Sequence, residues 1–199
     1  FLYYEGTDST LPLQETHGIV EVRIGAGVSF GDDLFVQKIN SLATCVTSDS
    51  VAYRVFSQEC VPECAASLWN PWFNNLQCAV FIEGGQNCSG IKPIFGDAYQ
   101  WFGVASRRED MAVYTNGAQC PRRGDVIVWQ GGSQGWGHVA VVTDDGGLDR
   151  YDCSGRVEIT QANTPRIKMN LNVYQGWIRA EGFEAAGFSL LGLIRRASF

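Results

Sequence analysis

Apolar residues recur along the chain in two rhythms, a helical one in the first half and a two-residue one in the second. Asp32 and Asp33 precede Leu34, Phe35, Ile39 and Leu42, an apolar stripe at helical spacing with acidic residues at its start. This predicts a helix. Residues 76–83 have the apolar density of a short buried helix, expected to stop at Gly84 and Gly85. Asp97 is placed to cap a further helix with Ala98, Trp101, Phe102 and Ala105 on one side. Residues 19–24 alternate as an early strand would. The stretch 44–75 is mixed and predicts an irregular lead-in tied by disulfides.

Beyond residue 124 the rhythm changes. Residues 125–129, 138–143, 148–153, 156–160, 167–173 and 176–180 are short runs separated by glycine-rich turns, the spacing of an antiparallel sheet. Helices first and strands second is an α+β plan, with N-terminal helices packed on an antiparallel β-sheet. The last apolar run, Phe188 to Ile194 before Arg195 and Arg196, is too short to cross a bilayer and is expected as a tail: a packed terminal helix or the start of a further segment, with a weak surface anchor as the lesser alternative. Three units follow: an N-terminal segment 1–69 of unassigned role that could pack on the main domain, a catalytic domain 70–183, and a C-terminal tail 184–199.

Composition narrows the class. The 199 residues are 45% hydrophobic, enough for a substantial core, and the net charge of -6 disfavours a nucleic-acid backbone as partner. Seven cysteines allow three disulfides and one free thiol, a pattern of secreted, periplasmic or virion-associated proteins. Cys60 and Cys64 are a weak metal signal, and no metal or cofactor is expected. The start at Phe1 reads as a processed end rather than an initiator.

Only two histidines are available as a base. His17 lies in a polar lead-in and is expected in solvent. His138 opens an apolar strand after the glycine-rich stretch 131–137, where a side chain can face a cleft or simply cap the sheet. Its best partner is a cysteine thiol. Cys78 sits near a helix start, where free backbone N–H groups favour a thiolate. Cys88, in Asn87-Cys88-Ser89-Gly90, is the rival, and half of a disulfide is the plainer reading of it.

Four segments in order carry a family resemblance: Leu76-Gln77-Cys78, then Phe95-Gly96-Asp97-Ala98-Tyr99-Gln100-Trp101, then Gly124-Asp125-Val126, then Gly137-His138-Val139-Ala140. Together they closely resemble the CHAP family of cell-wall amidases and endopeptidases, within the papain-like NlpC/P60 superfamily. The segment 174–179 is similar to that family's last strand. The resemblance covers about 70–183, and Asp97 stands where the family commonly has Asn. Cys88-Ser89-Gly90 echoes the NlpC/P60 nucleophile motif, but Pro93 would break the long helix expected after it.

The resemblance implies a papain-like fold, Cys78 as nucleophile, His138 as base, and a third polar residue on the strand after the histidine strand, where the family has Glu, often followed two positions later by Asn. A turn at Asp145-Gly146-Gly147 would bring Asp152 back beside His138, so Asp152 is the expected third residue. Asn163 is the alternative, because Gln161-Ala162-Asn163 reads more like the family's wording. The implied chemistry is thiolate attack on an amide, a thioester, and hydrolysis by a water that His138 activates. The Cys78 N–H and the Gln77 side chain would hold the oxyanion. Trp72 and Trp136 are expected to contact glycan, with Trp69 as a further candidate, whereas Trp101 falls on a core stripe. The implied partner is peptidoglycan, with the protein alone or within a virion, conjugation or secretion assembly. Two rivals remain: a protein-cleaving cysteine protease, for instance a viral one, and a non-catalytic wall-binding module of the same fold.

Overall fold

The computed structural model describes residues 30–50, 53–56, 60–66, 77–149, 152–164 and 166–197. The strand expected at 19–24, His17, Trp69 and Trp72 lie outside them. Helix α1 (Phe30–Thr44) is followed by a hairpin of β1 (Val46–Ser50) and β2 (Tyr53–Phe56), a short α2 (Glu63–Ala66) and α3 (Cys78–Cys88). A single 3-10 turn at Ala98–Gln100 runs into α4 (Trp101–Ala105). Seven strands then build one antiparallel sheet: β3 (Met111–Thr115), β4 (Val126–Gly131), β5 (His138–Asp144), β6 (Gly155–Thr160), β7 (Lys168–Tyr174), β8 (Trp177–Arg179) and β9 (Phe188–Arg196), with α5 (Glu181–Ala185) before the last. The order across the sheet is β3-β9-β4-β5-β6-β7-β8. This is the α+β plan, helices flanking a central antiparallel sheet.

Alternation along the central strands explains why the sheet is buried on both faces. Val126, Val128, Val139 and Val141 point to the helices and pack with Phe35, Ile39, Phe81 and Ile82. Ile127, Trp129, Ala140 and Val142 point the other way, onto Val157, Ile159, Leu171 and Phe183. Phe81 is fully buried in the first cluster, so truncating it to alanine would cost about 3–5 kcal/mol.

Helix α3 does not stop at the two glycines. It runs on to Cys88, and the reason is packing. A Cβ on Gly85 would meet Ile39 Cδ1 at 2.5 Å and one on Gly84 would meet Ala65 Cβ at 3.2 Å, so the glycines let α1 and α2 approach α3 closely. Their helix cost, about 1 kcal/mol each against alanine, is offset by that contact. The disulfide Cys64–Cys88 ties the far end of α3 to α2, and Cys45–Cys60 closes the segment before it. Helices α1 and α2 thus both pack against α3.

Two sheet expectations need correcting. The described residues of the stretch 148–153 (148, 149, 152 and 153) are in no strand; the strand that pairs with β5 is β6, in the register Val141↔Thr160 and Val142↔Ile159. The turn at Asp145 opens a longer loop, pinned to residue 120 by the disulfide Cys120–Cys153. The residues 188–196, expected as a terminal helix or loose tail, are instead strand β9 inside the sheet, second from its edge and paired to both β3 and β4. A short apolar run fits a buried strand as well as a helix segment. Arg195 then clamps β9 to the start of β4: its Nε and Nη2 donate to the two carboxylate oxygens of buried Asp125 at 2.8 and 2.7 Å.

Candidate active site

Cys78 is the first residue of α3, with Gln77 before it in an extended conformation (φ -76°, ψ 147°) that makes no side-chain cap. The six other cysteines are all bridged, in three disulfides that include Cys88 and take up both Cys60 and Cys64. Cys78 alone is a free thiol. It is 7% exposed, and burial pushes its pKa up to about 11 against the opposing pull of the Val139, Ala79 and Cys78 backbone N–H groups. The helix start does favour a thiolate, as expected, but desolvation wins. The resting group is a neutral thiol.

His138 opens β5, opposite Trp129 on β4. The chain enters it through Gly137 at φ +75°, where a Cβ would meet the Tyr99 backbone nitrogen at 2.8 Å; only glycine fits both demands. The imidazole stacks on Phe183 of α5, with centroids 5.2 Å apart and planes at 25°, and Trp129 and Phe188 pack beside it. Burial in this aromatic nest lowers its pKa to about 4, although the bond to Gln161 pulls the other way.

That bond defines the ring. His138 Nε2 lies 2.8 Å from Gln161 Oε1, and the Gln161 amide nitrogen is itself spent on the Arg166 carbonyl (3.0 Å) and on Met169 Sδ (3.2 Å). An amide oxygen only accepts, so Nε2 carries the hydrogen and Nδ1 keeps its lone pair. The site therefore holds an uncharged imidazole with one bare nitrogen.

The expected third residue, Asp152, is not at the ring. It is exposed, in the loop before β6 and next to the bridged Cys153, because the strand beside β5 begins only at Gly155. Asn163, the alternative, is not the ring's partner either. It sits in the left-handed region (φ 61°) and its Nδ2 donates to Gln77 Oε1 at 3.1 Å, joining the turn after β6 to the residue before the thiol. With its oxygen so engaged, the Gln77 amide is left with N–H groups to donate. Gln161 was missed as the ring partner, although Gln161-Ala162-Asn163 already stood out in the sequence; an amide in place of a carboxylate hid it.

Cys78 and His138 line one cleft of about 1080 Å³ between α3 and the end of the sheet, together with Gln77, Gln161, Asn163 and Trp136. Trp136 is 56% exposed there, whereas Trp101 is fully buried and donates its indole N–H to the Gly96 carbonyl. Phe183 and Phe188, which sequence patterning gave no reason to single out, form the wall behind His138. Among the described residues no group of three or more His, Cys, Asp and Glu could hold a metal ion, and no helix is long and apolar enough to cross a membrane.

Residues 67–163, about half of the chain, match the family described as the CHAP domain. The chain carries a CHAP domain. CHAP domains form a family of catalytic cysteine hydrolases, generally active on peptidoglycan, within the broader papain-like NlpC/P60 superfamily. The matched segment contains Cys78, His138, Gln161 and Asn163, while Phe183 and Phe188 lie beyond it. No curated protein matches the chain.

Proposed function

We propose that this CHAP domain hydrolyses amide bonds of bacterial peptidoglycan, as an N-acetylmuramoyl-L-alanine amidase or a peptidoglycan endopeptidase, with Cys78 as nucleophile and His138 as base. The observation that carries the reading is the pairing of chemistries in one cleft: the one free thiol of seven cysteines and a buried imidazole whose bare nitrogen is fixed by Gln161.

In this reading the thiol and imidazole start neutral, and Nδ1 takes the thiol proton as sulfur attacks the amide carbonyl. Collapse of the tetrahedral species gives a thioester, and the proton on Nδ1 passes to the departing amine. Water then gives up a proton to the same nitrogen and releases the acyl group. The Cys78 backbone N–H, at a helix start with no intrahelical acceptor, and the Gln77 amide N–H would hold the oxyanion. Gln161 orients the ring, and Asn163 positions Gln77. Trp136 is the proposed glycan contact, with Trp72 assigned that role on sequence alone. The three disulfides support an oxidising setting: secreted, periplasmic or virion-associated, in the last case within a larger assembly.

The test is incubation with purified sacculi and mass spectrometry of what is released. Soluble muropeptides or free stem peptides, absent with Cys78→Ala, are expected. Intact walls alongside cleaved denatured protein would replace the reading with a protein-directed protease. Wall binding without any product would point to a non-catalytic module.

A further inference from the structure

Glu83 is a buried acid on the cleft wall that the mechanism above leaves unused. It lies on α3, five residues after Cys78, and lines the same cleft at 7% exposure. Its carboxyl makes no hydrogen bond or ion pair with any described residue. Other acids of the fold that face inward are held: Asp125 by Arg195 and by the Arg122 N–H, and Glu158 by Lys168 and Thr143. A largely buried carboxyl with no partner among the described residues is disfavoured as an anion, and on the cleft wall it is placed to meet a ligand.

The surroundings say which ligand. Ala79 and Val80 stand four and three residues before Glu83, on the same helical face, and also line the cleft. An apolar strip ending in an acid fits a methylene chain ending in a cation. Five residues of helix place Glu83 roughly 7.5 Å along the axis from Cys78, a span that a lysine-length side chain beside the scissile bond covers.

We propose that Glu83 is a specificity residue that receives the primary ammonium group of an amine-bearing peptide substrate, with Ala79 and Val80 flanking its methylenes. The inference rests on the hydrolase reading and narrows it to stem or cross-bridge peptides that carry a free amine near the cut. Burial raises the Glu83 pKa to about 7, and its negative charge adds slightly to the upward push on the Cys78 thiol. A bound ammonium would hold Glu83 ionised and cancel that push, so the matching substrate also eases thiolate formation at Cys78.

The test is a binding measurement on the full chain carrying Cys78→Ala. Calorimetry compares the tripeptide alanyl-γ-glutamyl-lysine with its Nε-acetylated form. The free amine should bind at least about 10-fold tighter, and adding Glu83→Gln should erase the difference. Equal affinities of the two peptides without the Glu83 change, or a preference that survives Glu83→Gln, would overturn the proposal. The wild-type chain supplies a second readout: the ¹³C signal of the Glu83 carboxyl should titrate at lower pH with the free peptide present, and an unmoved titration would also overturn it. Because both readouts follow binding, a chain inert on cell walls would defeat the hydrolase reading separately.

Discussion

The two walls of the cleft are built on opposite plans and reach the same electrostatic result. The helix wall is rigid by covalent and steric means: α3 is bridged to α2 through Cys64–Cys88 and pressed on α1 through Gly85. The sheet wall is organised by aromatic stacking and one amide, with His138 between Trp129, Phe183 and Gln161. Burial drives the thiol on the first wall up and the imidazole on the second down, so each is stored uncharged. The proposed mechanism therefore needs no preformed ion pair: charge would develop on the two groups as the proton passes from Cys78 to His138.

The sharpest way to break this comparison is to remove the group on the helix wall. Cys78→Ala should lower amide hydrolysis by roughly 10³-fold or more while thermal unfolding stays near that of the parent chain. Retained turnover would move the chemistry elsewhere.

The sheet wall responds more gently. Gln161→Ala should cost about 10- to 100-fold in kcat by freeing the ring, whereas Gln161→Glu should retain activity and shift its pH profile. A carboxylate beside Nε2 favours imidazolium, so the acid limb, expected near pH 4 in the parent chain, should move to higher pH. An unmoved limb in Gln161→Glu would show that His138 is not the titrating base.

Glu83 sharpens the contrast through stability. Its raised pKa means that the unfolded chain ionises more readily, so it destabilises the fold increasingly as pH rises from about 4.5, with the cost complete above about 7. Glu83→Gln, in the absence of ligand, should therefore stabilise the protein by about 2 kcal/mol at pH 8 and hardly at all at pH 4. Denaturant melts at the two pH values check the sign, and an equal effect at both would refute the assignment. Last and smallest, Asp152→Asn should change kcat/KM less than about 2-fold, since that carboxylate lies in solvent away from the ring. A loss of 10-fold would restore it to the site.

What could be read before the fold was known follows a physical line. The order of Gln77-Cys78, Gly124-Asp125 and Gly137-His138 was legible because each marks a local event: a helix start, a strand entry, a positive-φ glycine. Cys78 stood apart by its place at a helix start, with six cysteines left to pair. The ring's partner was not legible in that way, because it depends on register. A two-residue turn at Asp145 would have put Asp152 beside His138, whereas the longer loop pinned by Cys120–Cys153 puts Gln161 there. The run Phe188 to Ile194 misled for a related reason: nothing local says that a terminal apolar run belongs between β3 and β4.

That placement of β9 has a consequence for when the protein can work. During synthesis β3 and β4 leave the ribosome long before the strand that joins them, and until then the edge strand β3 is not tied to the rest of the sheet. Phe183 and Phe188 emerge with the same late segment, so the aromatic seat of His138 is also missing until then. From the synthesis of His138 until that of Phe188 the nascent chain carries its thiol and its imidazole without a complete cleft to join them. A chain cut short before Phe188 would thus hold both reactive side chains and still lack the strand and the aromatic wall that shape the cleft around them.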